Sequence, residues 1–302
     1  MIDRKDGSKT IGNGVYASIV TYNPEIDLLN SCIDAVLLQV EKVVIIDNCS
    51  SNLSFIHDLL KKYCKKYPGR IAYKYNTNNK GIAYALNQAV RYCKRHGIKW
   101  LLTLDQDTII PEGLVERYSS YLYNDRVGQI CCDIENYDDP GLDIIKMSPL
   151  TVSYKKTGEV FKVYACITSG SLLNVEACLD VGGFKKDFFI DYVDYEMSLE
   201  LGASGYYTLY LPDVQISHRF GVAEKKRILG VEFTDYHFSP LRTFYKVRNG
   251  IYMIQKYPKH RRVFLKSVIY DIICSIVCLR KECCISAFRG IVAGIKMIVL
   301  KK

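Results

Sequence analysis

The chain predicts an α/β fold with a mostly parallel sheet, on two observations. Through residues 15–108, short apolar runs of strand length alternate with longer runs of helical spacing, the order that a parallel sheet with right-handed crossovers requires. Polar residues then gather where the apolar runs stop, at Thr21-Tyr-Asn23, Asp47-Asn48 and Asp105-Gln-Asp107. Ligands on such sheets collect beyond the carboxyl ends of the strands, so the three groups mark one candidate site. At 302 residues the chain holds one large domain or two modest ones, with no need of staples.

In order along the chain, Val15 to Tyr22 is a buried strand closed by the Asn23-Pro24 turn. Leu28 to Leu38 has helical spacing, and Val43 to Ile46 is a second buried strand running into Asp47-Asn-Cys-Ser-Ser51. A helix over about Phe55 to Tyr67, a strand at Ile71 to Tyr75, a long amphipathic helix over Gly81 to His96 and a strand at Trp100 to Leu104 complete the alternation. Beyond residue 130 the pattern loosens. Glu135 to Gly158 is polar and turn-rich, Val160 to Thr168 reads as a strand, and a helix begins near Val193 and runs to Leu201.

Composition narrows the class. Hydrophobic content of 49% with 24% charged residues is the profile of a folded protein. The twelve cysteines are scattered and form no pair of CxxC units with zinc-finger spacing. With a polar start at Met1 to Thr10 and no secretory signal in it, free thiols in a reducing cytoplasm are the expectation. The net charge of +9 suits nucleic acid or an anionic membrane, and no zinc knuckle, helix-turn-helix or aromatic RNA-binding signature accompanies the basic runs. A nucleic-acid partner is therefore not expected.

The strongest chemical signal is Leu101-Leu-Thr-Leu-Asp-Gln-Asp-Thr108. Side chains two apart on an extended segment share a face, so Asp105 and Asp107 converge where the strand opens into a cleft. Two hard oxygen ligands there suit Mg²⁺ or Mn²⁺ holding the phosphates of a nucleotide. The plainer alternative is a polar loop in which the aspartates cap a turn. A second acidic cluster, Asp191, Asp194 and Glu196, reads either as a general base with its neighbours or as a helix start enriched in acids to suit the dipole. On helical spacing, 191 and 194 share a face and 196 turns away.

Five segments in this order, Val20-Thr-Tyr-Asn-Pro24, Val44-Ile-Ile-Asp-Asn48, Asn79-Lys-Gly-Ile-Ala-Tyr-Ala-Leu-Asn87, Leu102-Thr-Leu-Asp-Gln-Asp107 and Phe188-Phe-Ile-Asp-Tyr-Val-Asp-Tyr-Glu196, resemble the family 2 inverting glycosyltransferases. Thr168-Ser-Gly-Ser171 and Gly182-Gly-Phe184 match as well. The Asp-Gln-Asp and Ile-Asp-Tyr-Val-Asp wordings resemble the bacterial rhamnosyltransferase branch, and the likeness spans about residues 15–250. It implies the GT-A nucleotide-diphospho-sugar fold over residues 1–222, with a nucleotide-binding half at about 15–108 and an acceptor half at about 109–222. Residues 223–302 would form a C-terminal helical region that associates with membrane or dimerises.

The resemblance also implies roles. Asp107 is the direct metal ligand, and Asp105 touches the ribose or reaches the metal through water. Asp194 matches the family's base, with Asp191 as rival, because Val193 stands where many relatives carry Glu. Thr21, Asn23 and Asp47 lie against the base and sugar of the donor, although Asp47, like Asn48 or Ser50, serves equally as a helix cap. Asn79 and Gly81 open a helix whose amides approach phosphate or ribose. Ser169 and Ser171 line the acceptor or sugar pocket. Arg242 and Arg248 neutralise diphosphate, of the donor or of a lipid-linked acceptor. His218 completes the metal shell or is a hydrogen-bonded structural residue, and His237 has no assigned role.

The expected donor is dTDP-β-L-rhamnose and the expected acceptor a lipid-linked or oligosaccharide glycan of bacterial surface polysaccharide or O-antigen. A UDP-sugar donor, galactofuranose or hexose, is the alternative on the same fold. A nucleotidyltransferase would need a glycine-rich basic loop, which Gly12-Asn-Gly14 is too short to supply, and a non-catalytic scaffold would have no use for every acid. From Val263 to Leu300 the composition turns apolar, yet Lys266, Asp271, Arg289 and Lys296 interrupt any membrane span. Ile285, Phe288, Ile291, Val292, Ile295 and Val299 share one helical face flanked by Arg289 and Lys296. That face suits peripheral binding to an anionic membrane from the cytoplasm, or packing on the catalytic domain or a dimer partner.

Overall fold

A computed structural model describes residues 12–136, 160–219, 224–228 and 231–300. Its centre is an eight-stranded sheet in the order β3-β2-β1-β4-β7-β5-β8-β6. The strands are β1 (Gly12–Thr21), β2 (Val40–Asp47), β3 (Ile71–Tyr75), β4 (Trp100–Asp105), β5 (Val127–Asn136), β6 (Phe161–Val163), β7 (Ser171–Asn174) and β8 (Tyr207–His218). β7 lies antiparallel between β4 and β5, and β6 is antiparallel at the edge against β8; the other pairings are parallel. This is the mostly parallel α/β sheet that the alternation predicts. The helices are α1 (Ile26–Leu37), α2 (Leu53–Lys66), α3 (Ile82–Arg95), α4 (Leu114–Ser119), α5 (Val175–Asp180), α6 (Val193–Ala203), α7 (Pro240–Lys256), α8 (Arg261–Val277) and α9 (Lys281–Val299).

β1 and β2 are buried on both faces, which is why they read as unbroken apolar runs. Val15, Ala17, Ile19, Val43 and Ile45 pack with α1 and α2 on one side. Tyr16, Val20, Val44 and Ile46 pack with α3, Phe188, Met197 and Phe264 on the other. Register brings Thr21 beside Asp47 and Val20 beside Asp105, so the polar strand ends meet along one rim of the sheet.

The expected strand over Val160–Thr168 is realised only at Phe161–Val163. The chain must turn back at Gly170, with φ of +74°, to run Ser171–Asn174 antiparallel to β4. The polar stretch expected over Glu135–Gly158 lies outside the described residues beyond Asn136. A separate hairpin, β9 (Glu224–Ile228) and β10 (Val231–Asp235), precedes the three C-terminal helices.

Of the apolar stripe expected on α9, Ile291 packs inward against Val247, Val268 and Ala287, and the rest faces outward. The helix packs on α7 through Cys283, Ala287, Gly290 and Gly294, all buried. Backbone approaches backbone there: a Cβ on Gly290 would meet Phe244 O at 2.7 Å and Val247 Cβ at 3.1 Å. The opposite face leaves Ile285, Phe288, Val292, Ile295 and Val299 exposed. Gly290→Leu is therefore expected to lower the melting temperature, with overpacking costing about 1–3 kcal/mol in denaturant melts. No helix among the described residues is long and apolar enough to cross a membrane.

Candidate active site

At the end of β1, Thr21 Oγ1 donates to Asp47 Oδ2 (2.8 Å). Ser50 Oγ (2.6 Å) and the Cys49 and Ser50 N–H groups (3.1 and 2.9 Å) fill the remaining places on the same carboxylate. Thr21 and Asp47 are both fully buried. Asp47, expected against the base or ribose, instead organises the loop beneath the cleft, with both oxygens satisfied. Asn23 (φ +48°) braces the same loop, accepting from Ser51 N–H (2.7 Å) and Oγ (2.9 Å).

Asn79 Oδ1 accepts from Asn48 Nδ2 (2.8 Å) and Gly81 N–H (2.9 Å). Ile82 N–H donates to Phe189 O (2.8 Å), and a Cβ on Gly81 (φ +83°) would overlap the Phe189 backbone. At this helix start, expected to offer open amides, the Gly81 N–H is taken by Asn79 and the Ile82 N–H ties down the chain that leads to the acidic cluster. Ser169 and Ser171, expected to line a pocket, are buried. Ser169 Oγ accepts from Asp105 N–H (3.1 Å) and bonds Thr108 Oγ1, so it shapes the aspartate turn from behind.

That turn carries the hard-ligand set. Gln106 Oε1 accepts from Tyr22 N–H (2.8 Å), tying it to β1. His218, the last residue of β8, places Nε2 3.5 Å from Asp105 Oδ2 and Nδ1 3.3 Å from Asp107 Oδ1. Thr108 Oγ1 lies 3.1 Å from Nδ1. The two carboxylates thus flank the imidazole, each on a different ring nitrogen, and they supply the hard oxygen donors that suit Mg²⁺ or Mn²⁺ together with waters and phosphate oxygens. Burial works to lower the His218 pKa, but the Asp107 hydrogen bond and the charges of Asp105 and Asp107 outweigh it and raise it. Burial raises the Asp105 pKa, with His218 opposing.

The three acids of the second cluster separate cleanly. Helix α6 starts at Val193, and Asp191 and Tyr192 precede it in the left-handed region, both at φ +63°. Asp191 is therefore not on the helix face that spacing suggested. Asn249 Nδ2 holds this strained turn through Ile190 O (2.9 Å) and Asp191 O (3.0 Å). Asp191 is paired to Arg242 (3.0 Å) and Glu196 to Lys256 (3.0 Å). Asp194 forms no ion pair among the described residues and accepts from Tyr195 N–H (2.9 Å). Its pKa is pushed up to about 7, first by burial and then by the Asp191 charge, against that backbone bond.

Arg242 sits among the acids. Burial disfavours its charge, yet Asp191, then Asp105 and Asp194, hold its pKa up. Arg248, expected to neutralise diphosphate, donates its guanidinium to Asp187 O and to Asn249 Oδ1 (2.7 Å), lies 4.6 Å from the Tyr245 ring, and steadies the Asn249 clamp. Gln106, Thr108 and Asn249 are positioning residues to which sequence reasoning gave no such role, although Gln106 lies within the Asp-Gln-Asp motif, Thr108 directly after it, and Asn249 beside Arg248.

The comparisons agree with this architecture. The chain is 29% identical over 270 residues to the dTDP-rhamnosyl transferase RfbF of Shigella flexneri, covering 87% of each chain. Among solved structures it is similar to the Pyrobaculum calidifontis mannosyltransferase PcManGT in complex with GDP-Man and Mn²⁺, at TM-score 0.56 and 14% identity, covering 98% of this chain and 90% of that one. It is also similar to GalNAc-T7 with UDP, GalNAc and Mn²⁺, at TM-score 0.54 and 15% identity, covering 85% of this chain but only 57% of that one. These likenesses establish the GT-A fold. The Glycosyl transferase family 2 profile matches residues 17–181, more than half of the sequence and the whole aspartate turn, and the chain accordingly belongs to glycosyl transferase family 2.

Proposed function

We propose that this glycosyltransferase moves rhamnose from dTDP-β-L-rhamnose, with inversion, to a lipid-linked glycan acceptor in bacterial surface polysaccharide synthesis. The similarity to a dTDP-rhamnosyl transferase over 87% of each chain supports the donor. Asp194 carries the mechanism: it is the acid of its cluster that forms no ion pair among the described residues, and its proton affinity is poised near neutrality. In this reading Asp194 takes the proton of the acceptor hydroxyl as that oxygen attacks the anomeric carbon from the face opposite the diphosphate. Arg242 and Asp191 orient each other beside it. Asp105, Asp107 and His218 would hold Mg²⁺ or Mn²⁺, which supplies Lewis-acid stabilisation of the departing diphosphate. Rhamnose leaves dTDP as the C–O bond to diphosphate breaks, and the new glycosidic bond forms with an α configuration.

Calorimetric titration with dTDP-rhamnose, UDP-galactose and UDP-N-acetylglucosamine, each with Mg²⁺ and with EDTA, tests the donor. Binding of dTDP-rhamnose alone, lost in EDTA, is the expected result. Preference for a UDP-sugar would overturn the donor and keep the fold.

The acceptor side is proposed to meet an anionic membrane from the cytoplasm. The outward faces of α8 and α9 expose Leu265, Ile269 and Ile276 beside Ile285, Phe288 and Ile295. Exposed Lys266, Arg289 and Lys296 border them. Apolar burial flanked by cations is the physics of an interfacial helix pair. Co-sedimentation with phosphatidylglycerol vesicles, weakened by salt and absent for Phe288→Glu/Ile295→Glu, is expected. A concentration-dependent dimer in light scattering without vesicle binding would give the face to a second copy instead.

A further inference from the structure

The hairpin β9–β10 brings one buried carboxylate against helix α8. Asp235 ends the hairpin with its side chain 4% exposed. Facing it, Cys274 and Cys278 stand one helical turn apart with their Sγ atoms separated by 3.9 Å. One ligand atom from each of the three residues lies within 4.8 Å of the other two. Tetrahedral zinc with Zn–S bonds of about 2.3 Å sets its two sulfurs about 3.8 Å apart. The thiols are thus already at zinc spacing, nearly twice the roughly 2 Å of a disulfide.

We propose that Asp235, Cys274 and Cys278 hold a structural zinc ion, with His237 completing a tetrahedral set. His237 lies two residues beyond Asp235, at φ +51°, with Nδ1 3.7 Å from Asp235 Oδ2 and its side chain half exposed. His237 Nε2 now lies 3.2 Å from Glu224 Oε2, so joining the set would require the imidazole to leave that carboxylate and turn toward the sulfurs. The cations nearby have a place in the scheme. Asp235 Oδ1 accepts from Arg280 (3.2 Å) and His237 N–H (2.8 Å), while Oδ2 has a longer Lys226 contact of 3.4 Å. Two thiolates and a carboxylate around a dication leave one net negative charge, which Arg280 offsets, while Lys226 is balanced by Glu224 (3.1 Å). A ligating carboxylate whose other oxygen is hydrogen-bonded is the usual outer shell of such a site.

Soft thiolates select zinc over the Mg²⁺ or Mn²⁺ that suits the aspartate turn, so one chain would carry two sites of opposite chemistry. Bound zinc would pin residues 234–237 to α8, just ahead of α7. Arg280 already reaches across to Phe238 O (2.7 Å) from the far end of α8.

The test is elemental analysis of the full chain, purified without chelator and dialysed against Mg²⁺ buffer. One zinc per chain is expected, retained by Asp107→Asn and lost from Cys274→Ser/Cys278→Ser. Cobalt substitution of the wild-type protein should give a thiolate-to-cobalt charge-transfer band and tetrahedral visible absorption. That readout decides the matter if the double variant fails to fold. A wild-type protein that holds no zinc and binds Co²⁺ without the charge-transfer band would overturn the site. So would zinc retained in full by a folded double variant.

Discussion

Asp194→Asn is expected to lower kcat about 10³-fold, within the range of roughly 10²–10⁴ for loss of a general base, with donor binding unchanged by calorimetry. Among the three acids, Asp191 and Glu196 are neutralised by Arg242 and Lys256. Asp194 is left with a proton affinity that matches the task, its pKa pushed up to about 7. The wild-type rate should therefore rise with pH through about 7 as the carboxyl ionises, and the residual rate of the variant should lack that limb. A variant with wild-type kcat, or one that keeps the limb, would transfer the role to Asp191.

Stability should move the other way. The folded-state pKa of Asp194 lies above its ordinary value of 3.8, so the native state keeps a proton that the unfolded chain releases between about pH 4 and 7. Native stability from this group is greatest below pH 4 and is lost as pH rises to 7. Asparagine removes that cost. Because the side chain is only part-buried, the gain at neutral pH is about 1–3 kcal/mol, growing from pH 4 to 7 and flat above. Chemical melts across that window check it.

Asp107→Ala is expected to reduce transfer about a thousandfold or more, since Lewis-acid stabilisation of a leaving group is worth several kcal/mol. The far-UV spectrum should be unchanged, because the turn is held by Gln106, Thr108 and Ser169 through bonds that Asp107 does not make. EDTA should reproduce the loss in the wild-type protein, and Mn²⁺ or Mg²⁺ should restore it. In the variant, EDTA should add little, because residue and ion act as a unit. Full activity of the wild-type protein in EDTA would remove the metal from the mechanism and leave His218 as the cation between the two aspartates.

The first four strands and first three helices were legible because β1, β2 and β4 are buried on both faces and each helix on one, while the partly exposed edge strand β3 was marked by its place between two helical runs. β5 and β8 were not. They carry polar residues such as Gln129, Asp133 and Thr208 inside the fold, where neighbours satisfy them, so their periodicity is weak. At the site, the sequence marked Asp105 and Asp107 as an extended pair, but β4 ends at Asp105 and a turn carries Asp107, and His218 arrives from a strand more than a hundred residues away. The burial of Asp47 was not readable, because a sequence does not show that four donors will saturate a carboxylate. Nor did helical spacing warn of two consecutive left-handed residues at Asp191 and Tyr192.

Helix α7 joins two surfaces. Its Arg242 and Asn249 grip the turn that carries Asp191, while the backbone at Phe244 and Arg248 and the side chains of Val247 and Ile251 are what Gly290 and Gly294 of the last helix press against. The functional centre is in this sense mechanically longer than its chemistry. A lipid or protein gripping the outer side of α9, if one does, would push on a rod whose far side holds the turn of Asp191. Clipping the chain before residue 281 would leave every acid of the cleft in place and remove the wall that α7 leans on.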